Sequence, residues 1–189
     1  MSATASTVLH RHRLDVTDYY RMAEAGILAE DDCCELIEGE IIDRAPIGSE
    51  HSSSVKRLNR WFERCVGHLA IVSVQDPIRL DRHNEPQPDI ALLRYRDDFY
   101  RNAHPGPEDV LLIVEVADTS LSYDREIKLP LYARHGIPEV WIMDLRNRRV
   151  EIYRQPVGGA YRERIHPSEC QTVTPAALPE CAVDLSGLF

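Results

Sequence analysis

Three residues in the middle of the chain carry side chains that could perform hydrolysis together. Asp89 follows Pro88, Glu115 lies inside the apolar run 111–116, and Lys128 comes shortly afterwards. An apolar run of this length is typical of a strand buried on both faces, where a carboxylate is costly unless a metal ion, a proton or a cation compensates it. Two oxygen ligands and one ammonium suit Mg²⁺-assisted attack of water on a phosphodiester. We therefore predict one site that contains Asp89, Glu115 and Lys128.

The same three residues also admit an ordinary structural interpretation. Asp89 could cap a turn, Glu115 could pair with a core arginine, and Lys128 could be a solvated surface residue. Buried acids occur in ordinary ion pairs as well as in metal sites. The residues alone leave both interpretations open.

Hydrophobic periodicity and turn residues predict the elements that would position these side chains. Helices are expected over 14–28 with Thr17 as the N-cap, from 50 to about 66, and through Lys128 and His135 after a turn at 119–124. Strands are expected over 34–37, 40–43, 71–74, 78–80, 89–93, 111–117, 139–144, 149–154 and 160–165, of which the first two and the last two form hairpins. This order predicts a mixed α/β fold with a central sheet flanked by helices.

Composition limits the class of protein. The 189 residues suffice for one domain, expected over 14–189, and 43% hydrophobic with 28% charged residues is ordinary for a globular chain. No apolar run approaches the roughly 20 residues needed to span a bilayer, so we expect no membrane partner. The segment 1–13 is small, polar and basic without an apolar core, which predicts a disordered end rather than a secretory signal. The tail after His166 is expected to pack along the surface.

Charge and cysteine content indicate the compartment and the partners. A net charge of −9 argues against strong non-specific binding of nucleic acid but leaves room for a locally basic cleft. The five cysteines are an odd number without Cys-x-x-Cys spacing, which argues against both a disulfide framework and a zinc site. We therefore expect reduced thiols in a cytoplasmic protein.

An ordered series of motifs runs from Thr17 to the end of the chain. Its members are Cys34-Glu35-Leu36-Ile37-Glu38-Gly39-Glu40, His51, Pro88-Asp89-Ile90-Ala91, Val114-Glu115-Val116, Asp124, Lys128, Tyr132, Gly136-Ile137-Pro138-Glu139-Val140-Trp141 and Leu178-Pro179. No single motif is specific, but the series resembles the PD-(D/E)XK nuclease superfamily. It is more closely similar to one branch, a large bacterial family of restriction-endonuclease-like proteins.

The resemblance implies a restriction-endonuclease-like core, a central mixed β-sheet flanked by helices, with the N-terminal helix and the first hairpin as additions. It implies that Asp89 and Glu115 bind Mg²⁺, for which Mn²⁺ can substitute, with the Val116 carbonyl as a further ligand and Lys128 as the catalytic lysine. The superfamily motif places lysine two residues after the acid, where this chain has Ala117. Lys128 matches a lysine displaced to the next helix. Nucleases of this architecture often act as dimers, so a homodimer that acts on DNA is expected.

Three further residues are additional candidates for the same site. Glu35 on the first hairpin could complete the metal site, although a solvent-facing strand acid is the favoured interpretation. His51 at the start of the second helix could touch the site or a phosphate, and a local hydrogen-bonding role is the alternative. Gln75 interrupts a strand and could face the pocket.

Two classes of function follow from these residues. The first is a metal-dependent endonuclease that hydrolyses DNA, with RNA as another substrate because no base-reading motif is visible. The second is a non-catalytic binding or assembly module on the same fold, which the negative charge and the alanine at position 117 favour. Arg57, Arg60 and Arg64 recur at helical spacing, as either a phosphate-facing stripe or a solvated helix face.

Overall fold

A computed structural model describes residues 11–29, 31–168 and 171–189 of the chain. The segment 1–13, expected to be disordered, lies outside the described residues except for positions 11–13, which have no regular secondary structure. Within those three ranges, no helix is both long and apolar enough to cross a membrane.

The first helix, α1 (Val16–Glu24), is shorter than the predicted 14–28, and its N-cap is Asp15 rather than Thr17. The Asp15 carboxylate accepts a hydrogen bond from the Asp18 amide at 3.0 Å, and the Asp18 carboxylate accepts one from the Asp15 amide at 3.1 Å. This reciprocal pair satisfies two amides that the first turn leaves without helical partners. The prediction of Thr17 as the cap was wrong because the acid two residues earlier makes both bonds.

The predicted first hairpin is confirmed. β1 (Cys34–Ile37) and β2 (Glu40–Asp43) pair in antiparallel register. The two residues between them, Glu38 and Gly39, both have positive φ. A two-residue loop of this kind requires positive φ at both positions, because only then does its twist match that of the strands.

A central sheet of six strands has the order β3-β4-β5-β6-β7-β8. These strands are β3 (Ala70–Val74), β4 (Ile90–Arg94), β5 (Val110–Ala117), β6 (Glu139–Asp144), β7 (Arg149–Val157) and β8 (Ala160–Ile165). β5 and β6 pair in parallel, and the other neighbouring pairs are antiparallel. The predicted α/β fold with a central mixed sheet is confirmed.

Two helical regions cover the sheet. α2 (Ser49–Val66) packs four buried apolar side chains, Val55, Leu58, Phe62 and Val66, into one core. Residues 121–134 connect β5 to the parallel strand β6, and a parallel pair requires such a crossover. This region consists of α3 (Leu121–Tyr123), a wide π-type turn (Asp124–Lys128) and α4 (Leu129–Arg134). Short 3₁₀ turns occur at Pro107–Asp109 and Leu185–Gly187.

The alternation of side chains along β5 decides which face receives its acid. Val114 and Val116 belong to the core beneath α2, whereas Ile113 and Ala117 belong to the core that also contains Leu131 and Tyr132 of α4. Because side chains alternate along a strand, Glu115 points to the face covered by residues 121–134. The sheet therefore presents Glu115 to the helical region that contains Lys128.

The predicted strand over 78–80 does not form. Ile78 and Leu80 are buried, but they lie in an irregular segment between β3 and β4. The Ile78 amide donates to the Pro86 carbonyl at 2.9 Å, and the Leu80 amide donates to the Asn84 carbonyl at 3.0 Å. Apolar character predicted the burial of these residues correctly, but their backbone bonds close a local loop instead of joining a sheet.

The C-terminal tail contributes to the core instead of lying on the surface. Two short strands, β9 (Thr172–Val173) and β10 (Val183–Asp184), pair with each other, and no long element forms among the described residues after His166. Cys181, Val183, Leu185 and Leu188 are buried in the core beneath α2.

Cys65 of α2 and Cys181 of the tail form a disulfide, with their Cα atoms 4.9 Å apart. The expectation of reduced thiols was wrong for this pair, because partners 116 residues apart leave no spacing signal in the sequence. Cys33 and Cys34 are free thiols, and Cys170 lies outside the described residues.

Candidate functional site

A cavity of about 330 Å³ lies where the beginning of β4 meets the end of β5. Ile90 pairs with Val114 in the sheet, so Asp89, which precedes β4, comes beside Glu115. Nine side chains that line the cavity are carboxylates, cations or an imidazole: Glu35, Asp43, Arg44, His51, Asp89, Glu115, Asp118, Asp124 and Lys128. The three residues singled out by their chemistry in the sequence therefore share one cavity.

Asp89 is 4% exposed and is held by three donors. Its Oδ2 accepts a hydrogen bond from the Val116 amide at 2.9 Å and lies 3.0 Å from His51 Nε2, and its Oδ1 accepts one from Gln75 Nε2 at 3.1 Å. Burial alone would raise the pKa of this carboxyl, but the bonds from His51, Val116 and Gln75 outweigh it and hold the pKa below its ordinary value. Asp89 is therefore a fixed, ionised carboxylate.

Glu115 forms a buried cluster with a lysine and a tyrosine from the helical region. Its Oε1 accepts hydrogen bonds from the Tyr132 hydroxyl at 2.6 Å and from Lys128 Nζ at 3.2 Å. Lys128 Nζ also donates to Glu35 Oε1 at 3.0 Å. Within the described part of the chain, no hydrogen bond reaches Glu115 Oε2, so this oxygen is available to a ligand in the cavity.

The charges of this cluster are strongly coupled. Burial raises the pKa of the Glu115 carboxyl above its ordinary value, and the Lys128 ammonium opposes that rise. Burial alone would lower the pKa of Lys128, but the carboxylates of Glu115, Glu35 and Asp124 outweigh it and keep this pKa above its ordinary value. Lys128 is therefore a permanent cation at neutral pH.

Glu35 points into the site, so its favoured interpretation as a solvent-facing acid was wrong. It is 1% exposed, because the segment before β4 packs along β1. The Glu85 amide donates to the Leu36 carbonyl at 2.7 Å, and the Gln87 amide donates to Glu35 Oε1 at 3.0 Å. That packing turns the carboxylate of Glu35 toward Lys128.

His51 and Gln75, the other two additional candidates, both contact Asp89. The hydrogen bond to Asp89 raises the pKa of the His51 imidazole. The other ring nitrogen, Nδ1, is buried without a hydrogen-bond partner among the described residues. Gln75 has a positive φ, in keeping with its place at the irregular end of β3.

Asp124 and Tyr123 line the cavity, although sequence reasoning assigned them no role beyond the presence of Asp124 in the motif series. Asp124 Oδ2 accepts a hydrogen bond from the Ser120 hydroxyl at 2.7 Å, and burial raises the pKa of this carboxyl. The Tyr123 hydroxyl is buried without a partner in the described ranges, and burial raises its pKa to about 12. Both residues lie where the wide turn begins, and π-type turns are rare and frequent at functional sites.

Arg44 is a second cation that the sequence did not single out. Its Nη2 lies 3.7 Å from Asp89 Oδ1, and its Nε lies 3.8 Å from Glu35 Oε1. It follows the first hairpin, so the hairpin supplies both Glu35 and Arg44 to the site. Charge alone could not have identified it, because the chain contains many arginines.

Val116 and Ala117 follow Glu115 on β5, and neither supplies a cation to it. The Val116 amide binds Asp89, and its predicted role as a carbonyl ligand remains a prediction. Ala117 is buried and its carbonyl accepts a hydrogen bond from the Leu145 amide at 3.0 Å. Lys128 instead approaches Glu115 from the helical region.

The donor set fits a hard divalent cation. Asp89 and Glu115 offer oxygen ligands beside one cavity, and Mg²⁺ commonly binds through one or two carboxylates while keeping several waters. Among the described residues, no three His, Cys, Asp or Glu side chains form a group that could hold a metal ion.

Comparisons with known proteins agree with this architecture. A family model described as Uma2, putative restriction endonuclease, matches residues 16–186. A crystal structure of a putative nuclease belonging to DUF820 from Anabaena variabilis superposes with a TM-score of 0.69 at 19% sequence identity, covering 89% of this chain and 96% of that chain. This likeness confirms the restriction-endonuclease-like fold. No curated protein matched the chain.

Proposed function

We propose that this chain, which belongs to the Uma2 family of putative restriction endonucleases, is a metal-dependent endonuclease that hydrolyses phosphodiester bonds of DNA. The family supports a nuclease-like function, while the metal, the PD-(D/E)XK type and the preference for DNA are our proposals. The observation that carries them is the convergence of Asp89 and Glu115, from adjacent strands, on one cavity that also contains the Lys128 ammonium.

Asp89 and Glu115 would hold Mg²⁺, or Mn²⁺ in its place, with the Val116 carbonyl as a further ligand. Bound there, the ion would lower the pKa of a water and stabilise negative charge on phosphate oxygens. Asp89 is suited to this role because its pKa is held low. The unengaged Oε2 of Glu115 provides the second oxygen.

Lys128 acts as an electrostatic and positioning group in this proposal. Because its pKa lies above its ordinary value, it remains protonated and cannot serve as a general base at neutral pH. Its ammonium orients Glu115 and Glu35 through their Oε1 atoms and places positive charge beside the cavity. A fixed cation there would favour the charge that develops on a phosphate in the transition state.

Tyr123 supplies a hydrogen-bond donor for the substrate. Its hydroxyl lines the cavity and is buried without a partner in the described part of the chain. A buried polar atom of this kind is costly unless a ligand or water satisfies it. With a pKa of about 12, the phenol stays protonated and can donate to a phosphate oxygen.

A plasmid-cleavage assay tests the proposal. The wild type is incubated with supercoiled DNA in Mg²⁺, in Mn²⁺ and in excess chelator, and Asp89→Asn and Glu115→Gln are compared with Glu126→Gln. Glu126 is an exposed acid of the same helical region, so its variant controls for loss of one negative charge. We expect metal-dependent nicking that falls at least about 100-fold in the two site variants and not in the control, with circular dichroism unchanged.

Cleavage that survives excess chelator, or that persists in both site variants, would contradict metal dependence. Parallel assays on RNA of the same sequence decide between DNA and RNA, which the site geometry does not distinguish. Sedimentation of the same samples tests the predicted homodimer, and the cytoplasmic location remains a prediction.

A second candidate is a non-catalytic binding or assembly module on the same fold. One observation favours it: Lys128 already neutralises Glu35 and Glu115 through two short contacts, as an ordinary buried ion pair would. Calorimetric titration separates the two functions. Heat on addition of Mg²⁺ or Mn²⁺ that disappears in Glu115→Gln supports the nuclease, and the absence of heat supports the module.

A further inference from the structure

A second concave surface lies on the outer side of α2, away from the catalytic cavity. It is a cleft of about 410 Å³ lined by Arg57, Arg60 and Arg64, together with Trp61, Cys65 and Gly187. We call it the arginine cleft. The three arginines lie on the side of the helix opposite the buried residues Leu58 and Phe62, since 3.6 residues make one turn.

Among the described residues, no carboxylate forms an ion pair with the three arginines of this cleft. Arg57 Nη1 donates to the Gly187 carbonyl at 3.0 Å, and neither Arg60 nor Arg64 makes an ion pair within the described residues. Elsewhere in the fold, Arg125 and Arg154 each pair with a buried glutamate. A chain with 31 acids and a net charge of −9 thus places on one exposed surface three guanidinium groups that pair with no carboxylate of the described ranges.

The local charge of α2 is opposite to that of the whole chain. The helix sequence contains four cations, Lys56 and the three arginines, against two acids, Glu50 and Glu63. Its own balance is therefore 4 − 2 = +2. Such a local reversal of sign is what a partner with a dense negative charge would select.

The base of the cleft is fixed by the C-terminal tail. The Trp61 indole donates to the Ala182 carbonyl at 3.0 Å, and the disulfide joins Cys65 to Cys181. The guanidinium groups thus project from a helix that is attached to the tail at Trp61 and Cys65, next to Arg60 and Arg64. Anchoring lowers the entropy lost when such side chains engage a ligand.

The spacing of the arginines suits a nucleic-acid backbone. At 1.5 Å per residue, positions 57 to 64 span about 10 Å along the helix axis, which corresponds to about three nucleotides at 3.4 Å per nucleotide of one strand. The first turn of the same helix carries His51, which lines the catalytic cavity. The helix therefore links the cleft to the site where we place hydrolysis.

We propose that the arginine cleft binds the phosphate backbone of the nucleic-acid substrate and holds it against α2. This inference rests on the proposed function for the identity of the nucleic acid as a substrate. The charge complementarity between a polyanion and three guanidinium groups that form no ion pair within the described residues carries it. Arginine suits this task because its planar group can bind phosphate through two parallel hydrogen bonds.

A salt titration of DNA binding tests the inference. Binding of a fluorescent duplex to the full chain is measured by anisotropy in chelator at several salt concentrations. The triple variant Arg57→Gln, Arg60→Gln, Arg64→Gln is compared with Arg21→Gln, Arg101→Gln, Arg162→Gln. The control arginines are exposed and make no ion pair within the described ranges, so both variants lose the same three charges.

Each phosphate contact contributes about 0.9 to the slope of log K against log salt. We therefore expect the cleft variant to lose about 2.7 from that slope and at least about tenfold in affinity at low salt, while the control changes little. Equal losses in both variants would show that only net charge matters and would overturn the inference. An unchanged slope in the cleft variant, or no binding by the wild type, would overturn it as well.

Cleavage assays keep the two proposals separate. If the wild type binds through the cleft but cleaves nothing with Mg²⁺ or Mn²⁺, the nuclease proposal fails and the cleft remains. If the wild type cleaves and the cleft variant keeps the same KM, the cleft inference fails and the nuclease remains. A change of sedimentation in the cleft variant without loss of DNA binding would assign this surface to contacts between copies and would also overturn the inference.

Discussion

Replacement of Tyr123 by phenylalanine should stabilise the free protein and lower its affinity for the substrate. The Tyr123 hydroxyl is buried at the cavity without a hydrogen-bond partner in the described residues, so no group among those residues replaces the hydration that it loses on folding. A buried polar group left unsatisfied costs about 1–3 kcal/mol. Tyr123→Phe removes this cost and leaves the ring in place.

The cost of the buried hydroxyl predicts a change in Tm, and the lost hydrogen bond to the substrate predicts a change in Kd or KM. For a chain of this size, each kcal/mol shifts Tm by about 2–4 °C, so the Tm of Tyr123→Phe should rise by at least about 2 °C. The lost hydrogen bond to a charged phosphate is worth about 1.5–3 kcal/mol. Since 1.4 kcal/mol is a factor of ten, the Kd for a DNA duplex, or the KM for cleavage, should rise about 10- to 100-fold.

Tyr132→Phe provides the matched control, because the same atom is removed from a tyrosine that has a partner. The Tyr132 hydroxyl donates to Glu115 Oε1 at 2.6 Å, so this variant should lower Tm. Opposite signs for the two variants in calorimetric scans at pH 7 would support the reasoning. A drop in Tm for Tyr123→Phe comparable to that of Tyr132→Phe would refute it, since the hydroxyl would then be bonded in the free protein.

Two further predictions concern the charges that hold the fold. Lys128→Met should lower the free energy of unfolding by about 3–5 kcal/mol, because it leaves Glu35 and Glu115 buried without their cation. Urea denaturation at pH 7 measures this loss. A loss below about 1 kcal/mol would show that the ion pair contributes little. For Glu151, burial would raise the pKa, but the hydrogen bonds from Arg125 and Tyr153, together with the positive charges of Arg125 and Arg164, outweigh it and hold the pKa below the ordinary 4.5. A lowered pKa stabilises the fold above pH 4.5 and loses this effect as pH falls through the folded-state pKa. Glu151→Gln should therefore be less stable than the wild type by about 1.5–3 kcal/mol at pH 7, and this difference in unfolding free energy should shrink below pH 4.5. A difference that stays constant over this pH range would contradict the charge-based account.

If Lys128 is the catalytic lysine of the proposed PD-(D/E)XK type, its position outside β5 has a simple structural explanation. A lysine at position 117 would lie on the same strand as Glu115, but that position is filled by a buried alanine packed in the core with Ile113. Lys128 reaches the same carboxylate from the crossover region, which the parallel pairing of β5 and β6 forces back across the sheet. The ammonium can therefore occupy the site although its place in the sequence has moved.

The strands that carry Asp89 and Glu115 could be predicted because local pattern determines them. The run 110–117 is apolar on both sides of Glu115, and a run of that kind is stable only as a strand covered on both faces. The hairpin turn at Glu38 and Gly39 could also be predicted from the sequence, since its backbone conformation favours glycine. The motif series then identified the family, which the match over residues 16–186 confirmed.

Other features depended on contacts between distant segments. The period of a strand determines that the Glu35 side chain points to the opposite face from those of its two neighbours. Only the packing of residues 84–87 along β1 decided that it is buried beside Lys128. Tyr123 lies in the cavity wall just before the wide turn, and residue types do not predict the geometry of that turn. The same holds for the bond between Cys65 and Cys181.

Local periodicity, then, determined which residues form strands and where the acids stand along them. The tertiary structure decided which of those acids share a cavity and which cations face them. The physical reason is that periodicity is set by each residue and its near neighbours in the chain, whereas the cost of burying a charge depends on partners that only the packing of distant segments brings within a few ångströms.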